Sequence, residues 1–188
     1  MTHDGWAPYL NFRAAPHQPC LAHLLRRCRE LLEAATRGAV LFPRRVKAVL
    51  KEALSVRDDR DDGRLAAPQA ARQADDLDAR MHGLLRPTKR HAGNERFARH
   101  LWAVRRHLFT FLRHERVDAT NWRAEQALRP AAVNRKVWGG NRTWVGARAQ
   151  AVLMSVLQTA KLLGADSMDF LSRLLRARPD EQPLLLPA

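Results

Sequence analysis

The stretch TNWRAEQALRPAAVNRKVWGGNRTWVGARAQAVLMSVLQTAKLLG, from Thr120 to Gly164, decides how the rest of the chain is read. It sets one carboxylate, Glu125, among Asn121, Arg123, Arg129, Arg135, Lys136, Arg142 and Arg148, with Trp122, Trp138 and Trp144 interleaved. A lone acid in a basic, aromatic-laced segment suits a polyanionic partner: cations neutralise phosphates, and exposed rings stack on bases. Thr120 is placed to cap a helix on which Asn121, Glu125 and Arg129 follow at single turns and share a face. Two readings of Glu125 stand there. It is half of an i, i+4 surface pair with Arg129, or a carboxylate kept ionised by the guanidinium and the positive helix end, the state that ligates a hard cation such as magnesium.

From Val133 to Val145 the helical spacing breaks. Gly139-Gly140, between Val137-Trp138 and Arg142-Thr143-Trp144, predicts a tight hairpin or glycine turn, either to let a phosphate approach the backbone or simply to reverse the chain. Beyond it Ala149, Val152, Leu153, Val156, Leu157, Ala160 and Leu163 recur at helical spacing with Gly164 past the end, the clearest core helix in the sequence. Asp166 is placed to cap a last helix with Phe170, Leu171, Leu174 and Leu175 inside, and the prolines of the tail PDEQPLLLPA forbid regular structure.

Upstream, no strand is expected before Asp4, which with Gly5 reads as a turn ahead of the aromatic segment WAPYLNF. Helical spacing covers Cys20 to Ala35, with Pro19 suited to the first turn, then a second helix after Pro43 that buries Val46, Val49, Leu50, Ala53 and Leu54. RDDRDDGRLAAP reads as an exposed, mixed-charge loop in which the interleaved arginines argue against a cation site. Gln69 to Arg86 predicts a helix ended by Pro87, and Glu95 to Arg116 a single long amphipathic one. His17-x2-Cys20-x2-His23 has metal-ligand residue types at tight spacing. The same residues also serve commonly as core packing, and both readings stand.

The 188 residues are 46% hydrophobic, enough for one domain with a real core. Lys and Arg number 33 against 19 acids, a formal charge of +14, mostly carried by arginine; this favours phosphate over a neutral or cationic partner. No apolar run approaches a membrane span and the start lacks the regions of a signal peptide, so the expectation is a cytoplasmic protein. Two cysteines eight apart in a helical pattern make a disulfide framework unexpected. The periodicities together predict a mainly α chain of about six main helices with minimal strand.

The Thr120–Gly164 string resembles the C-terminal catalytic segment of bacterial transposases of the insertion sequence 66 family, whose pattern is close to TNNxAERALRP, then RKxWGGNRT and a glycine-led helix. DGWAPY and HQPCLAHLLRRC resemble that family's central segment. The resemblance implies a DDE recombinase: a ribonuclease-H-like core in which three acids hold two divalent cations, magnesium as cofactor, DNA transposon ends as partner and the bacterial nucleoid as location. Carried over by position, Asp4 matches the second acid, at the end of a core strand, and Glu125 the third, on a core helix. Cys20 and His23 match a structural Cys-x2-His element. Arg129, Arg135, Lys136, Trp138, Asn141, Arg142 and Arg148 fall in the DNA-facing segment.

The implied organisation is a core remnant over residues 1–20, an all-helical insertion over 21–118, a C-terminal catalytic-core segment over 119–165, and a helix and tail over 166–188. The family has Asn at Trp122 and Arg at Gln126, so one basic contact beside the acid is lost. Its first aspartate and the attendant strands have no counterpart in the three residues before Asp4. The expectation is therefore a truncated transposase, or the downstream piece of a split one, that does not cleave or join DNA alone, with core strands mostly missing. The alternative is a non-catalytic basic helical remnant that binds DNA, self-associates, or docks on the missing N-terminal portion through apolar faces left uncovered.

Overall fold

Thr2–His3 (β1) and Gln18–Pro19 (β2) pair in parallel, Thr2 opposite Gln18 and His3 opposite Pro19. Parallel strands need a crossover, supplied here by the segment from Asp4 to His17 with its 3-10 turn Ala7–Asn11. Backbone bonds from Gln18 N to Met1 O at 3.0 Å and from Cys20 N to His3 O at 2.7 Å close the pair. A strand thus runs directly into Asp4, against the expectation of none. Its bonds go to a partner a crossover away, which two residues of local sequence do not announce.

The computed structural model describes residues 1–177; the tail PDEQPLLLPA lies outside the described residues. The chain separates into two compact units, Met1–Arg123 and a second beginning at Ala124.

In the first unit α1 (Leu21–Glu33) buries Leu21, Leu24 and Cys28. It packs on α2 (Leu41–Asp61), which in turn packs on α3 (Ala67–Leu85). Alanines 53, 70 and 74 are fully buried, and side chains that short let the α2 and α3 backbones approach closely. Around them Val46, Leu50, Leu77 and Met81 leave water almost completely, each worth about 1.5–3 kcal/mol of transfer free energy. The stretch expected as a loop from Arg57 is helical to Asp61. Its charges pair sideways, Arg57 with Asp58 at 2.6 Å and Arg60 with Asp61 at 2.8 Å, and the helix ends only at Gly63, whose φ of +73° glycine alone adopts without cost.

The single helix expected from Glu95 to Arg116 is three pieces: α4 (Ala92–Val104), a 3-10 turn Arg105–His107 and α5 (Thr110–Arg113). Leu108, Phe109, Phe111 and Leu112 are all buried, and so many near-consecutive side chains cannot share one face of an α-helix; the chain turns to bury them. The Gln18 side chain enters the break. Its Nε2 donates to Leu108 O at 3.0 Å and to Pro19 O at 2.7 Å, and its Oε1 accepts from Phe111 N at 3.1 Å.

α6 (Trp122–Trp138) crosses from the first unit into the second. It runs through Pro130 and past Val133, where a break was expected, because one proline costs a helix a donor without forcing it to end when its φ already suits the helix. No hairpin forms; Gly139 and Gly140, both at φ +83°, lead to α7 (Trp144–Leu162), which starts before the expected Ala149 under a cap from Thr143 Oγ1 to Gly146 N at 3.1 Å. α8 (Ser167–Arg176) is capped as expected, Asp169 N donating to Asp166 Oδ1 at 2.7 Å.

The burial expected of α7 is not met: Ala160 is buried, but Val152 and Leu153 keep 56% and 51% of their surface in water. In α8 Phe170 is buried while Leu174 and Leu175 are exposed. Periodicity assigns an apolar face; burial needs an element to cover it. The whole is mainly α-helical, and no helix of the described residues is long and apolar enough to cross a membrane.

Replacing Gln18 with alanine leaves Phe111 N and Leu108 O buried without this partner, at about 1–3 kcal/mol for each group. Urea unfolding followed by far-ultraviolet circular dichroism is expected to show a loss of about 2–5 kcal/mol, against less than about 1 kcal/mol for an exposed control such as Gln73→Ala.

Candidate functional site

Asp4 is exposed at the end of β1, and its Oδ1 accepts from Trp6 N at 3.0 Å, an Asx turn that sets the direction of the carboxylate. Gly5 follows at φ +96°, so the turn favours glycine for its backbone conformation; a Cβ there would make only an ordinary contact with His100 Cε1 at 3.4 Å.

Behind it runs a directed chain of hydrogen bonds. Gly5 N donates to His3 Nδ1 at 3.2 Å, which puts the His3 proton on Nε2; that nitrogen lies 3.3 Å from His17 Nδ1, and His17 Nε2 lies 3.1 Å from the carbonyl of Phe12. Since the carbonyl only accepts, His17 carries its proton on Nε2 and accepts at Nδ1 from His3. Burial, then the charge of His17, push the His3 pKa below the ordinary histidine value, outweighing the opposite pull of Asp4. His107, with its ring edge-on to His17 at 5.6 Å, is lowered for the same two reasons.

Asp4 opens on a cleft of about 330 Å³ shared with His23 and Arg27 of α1 and Arg96 and His100 of α4. Arg27 also pairs with the exposed Glu30 at 2.9 Å. His100 lies with part of its surface in water, yet desolvation lowers its pKa. The cleft therefore sets one carboxylate against two guanidiniums.

Cys20, buried at the head of α1, accepts from Asn121 N at 3.4 Å through Sγ. With Leu21 N on Ala119 O at 2.9 Å and Thr2 Oγ1 on Asp118 O at 2.7 Å, it pins the residues that lead into α6. Both cysteines are free, and among the described residues no group of three or more His, Cys, Asp or Glu converges as a metal ligand set. His17 Nε2 meets the Phe12 carbonyl and Cys20 Sγ the Asn121 amide, so these two side chains bond to backbone. The lack of a converging group among the described residues bears also on the two expected acids. Asp4 and Glu125 have the hard oxygen donors a divalent cation prefers, but two carboxylates do not fit a three-acid, two-cation centre.

In the second unit Glu125 stands exposed in the first turn of α6, with Arg129 a turn later. Arg135 and Lys136 occupy its last turn, and the Arg135 stem lies under the glycine turn, its Cγ 3.3 Å from where a Gly140 Cβ would stand. Asn141 donates to Gln150 Oε1, and Arg142 and Thr143 bring the chain to the positive end of α7. Arg129, Arg135, Lys136, Arg142 and Arg148 are exposed, and none of them is ion-paired among the described residues. Trp138 and Trp144 are 61% and 91% exposed beside them. Cations without an ion pair and exposed indoles thus group around one glycine turn ahead of the Thr143-capped start of α7.

Of the residues that organise these sites, His3, Gln18 and His100 carry no signal in local spacing, because their partners lie across a crossover or on another helix. Gly5 after Asp4 is the one local mark of the turn.

A family model described as Transposase IS66 family matches residues 1–149. No curated protein and no solved structure matches the chain.

Because the folded state holds His3 and His107 neutral while the unfolded chain protonates them near the ordinary value of 6.5, their contribution is complete above that pH and declines as pH falls below it. The urea midpoint is expected to drop between pH 7.5 and 5.5. His17→Gln, which removes a ring charge facing both histidines, should shrink that drop; an undiminished drop would show that acid acts elsewhere.

Proposed function

The chain belongs to the IS66 family of transposases, and we propose that it works in transposition by holding transposon-end DNA through the turn between α6 and α7. The observation that carries this reading is the grouping of Arg135, Lys136, Arg142 and Arg148 with exposed Trp138 and Trp144 around Gly139-Gly140. Each cation set against a phosphate releases counterions, and the indoles offer flat faces for bases. Asn141, tied to Gln150, steadies the loop that presents Arg142.

On this reading residues 1–20 and 119–165 are parts of a ribonuclease-H-like core, residues 21–118 a helical insertion, and residues from 166 a closing helix. Asp4 is the second acid of the DDE set and Glu125 the third. A strand ending at Asp4 and a helix carrying Glu125 in its first turn support that assignment. Cys20 and His23 keep a structural role, supported by the Cys20 bond to the residue before α6. Magnesium is the cation such acids hold in a DDE centre, where it activates the attacking oxygen and steadies the leaving one. Asp4 and Glu125 would supply two of the acids of such a centre, and the function proposed here is DNA binding.

Fluorescence anisotropy with a labelled transposon-end duplex tests the reading. The logarithm of affinity should fall linearly with the logarithm of salt concentration, and replacing Arg135, Lys136 and Arg142 with alanine should flatten the slope by roughly 2–3, at about 0.9 per phosphate contact. An affinity indifferent to salt, or a triple variant with the parent slope, would overturn it.

A further inference from the structure

The basic loop Arg86–His91 joins α3 to α4 and closes one side of a second cleft, about 430 Å³, between the starts of α2 and α4 and the end of α3. Arg45, Lys89, Arg90 and His91 line it, with Thr88 and Asn94, and no Asp or Glu is among its lining residues. The Asp4 cleft, by contrast, contains a carboxylate.

Lys89 is half-buried, its ammonium 4.9 Å from the centre of the Phe42 ring and bonded to Pro87 O. Burial lowers its pKa, the mark of a cation short of compensation. Glu95 of α4 offsets this only in part: one oxygen accepts from Lys89 N at 2.9 Å and its charge pulls the Lys89 pKa back up, while the other oxygen lies 3.9 Å from Arg99. Arg45 and Arg90 are exposed and not ion-paired among the described residues. Asn94, buried, donates to Ala39 O at 2.8 Å and so fixes the cleft wall against the turn before α2. His91 caps α4 without a side-chain bond, so the amides of the first turn add their positive end to the same place. Two guanidiniums not ion-paired among the described residues and a sheltered ammonium line the cleft with no carboxylate in its lining, Glu95 standing behind it in the first turn of α4, and together they match an oxyanion that takes several donors at once.

We propose that this cleft is a binding site for phosphodiester groups of a DNA backbone, made by residues of the first unit and separate in sequence from the α6–α7 turn. The site rests on the reading that the chain binds DNA. It makes the helical segment from α2 to α4 a DNA-contacting part of the protein in its own right.

The test uses the full chain and the same labelled duplex. Arg45→Ala combined with Arg90→Ala removes two exposed, unbonded side chains; Arg29→Ala combined with Arg72→Ala removes the same charge from exposed positions outside the cleft. The cleft pair is expected to weaken binding about tenfold near 0.1 M salt and to flatten the salt slope by roughly 2, the control pair by less than half as much. Equal weakening by both pairs would reduce the effect to overall charge, and an unaltered slope in the cleft pair would remove the site; either overturns the proposal. Loss of binding in the α6–α7 triple variant with full binding in the cleft pair leaves the proposed function standing and this inference refuted. The converse refutes the α6–α7 assignment alone. A thermal shift by inorganic phosphate, measured against chloride at equal ionic strength, that disappears in the cleft pair while DNA binding persists identifies a free-phosphate site and overturns the nucleic-acid assignment.

Discussion

The amide of Gln18 is fully buried and meets its hydrogen-bonding needs only if three separate pieces of backbone come to it. Its nitrogen takes Leu108 O and Pro19 O, and its oxygen takes Phe111 N, so β2 is tied to the break between α4 and α5. An unsatisfied amide in that position costs several kcal/mol, more than most single contacts contribute, and arrangements that miss one partner are correspondingly disfavoured. What hangs from it follows in order. β2 holds β1 by parallel pairing, β1 ends in Asp4, and the chain after β2 starts α1 with Cys20 and Leu21 bonded to Asn121 and Ala119. One polar side chain thus joins the acid-bearing turn, the first helix and the entry to α6 within the first unit.

Helices declare themselves in sequence when one face is apolar and the other wet, which is why α1, α2 and α3 could be read from Leu21, Val46 and Leu77 and their repeats. The limits have physical causes. Leu108 to Leu112 look like the continuation of a helical stripe, but a stripe does not reveal that both sides will be covered, and burial on both sides is what turns the chain. The pattern over Val152 and Leu153 is equally regular and those residues stay half in water, since periodicity speaks of the helix and burial of its neighbours. Glycine spacing located the turn at Gly139-Gly140, yet strand pairing was not its result, because positive φ at both positions serves a helix-to-helix link as well as a hairpin. Of the candidate site, the exposed cations and tryptophans were legible from composition. The setting of Asp4 was not, because His3, His17 and His100 reach it only through the fold.

The excess of positive charge is also distributed by structure rather than by composition. Acids concentrate on α2 and α3, where Glu52 and Asp76 hold Arg80, Asp75 and Asp78 hold Arg113, and Asp59 and Asp62 hold Arg64. The paired arginines there are worth little to stability, at about 0–1 kcal/mol for an exposed pair, but their charge is no longer offered to a partner. Outside those pairs stand, among other exposed arginines, Arg45 and Arg90 at the α2–α4 cleft and Arg129, Arg135, Lys136, Arg142 and Arg148 along α6 and α7. A net charge of +14 spread evenly would attract any polyanion weakly, whereas pairing on α2 and α3 leaves the field uneven over the surface.

Asp4 then presents an electrostatic contrast that its neighbours resolve. It sits beside three histidines, and an imidazolium next to a carboxylate would ordinarily pair with it and cancel it. The Gly5 amide forbids this at His3 by occupying Nδ1, and the His3 proton, directed at His17, forbids it at the next ring. Protonating His3 on Nδ1 would break the bond from Gly5 N, and burial outweighs the pull of Asp4 on its pKa. The exposed carboxylate is fixed in direction by Trp6 N and shares its cleft with Arg27 and Arg96. The bond from Gly5 N to His3 Nδ1 behind it and the guanidiniums across the cleft are what make this turn a place for an oriented acid rather than for an ion pair with His3.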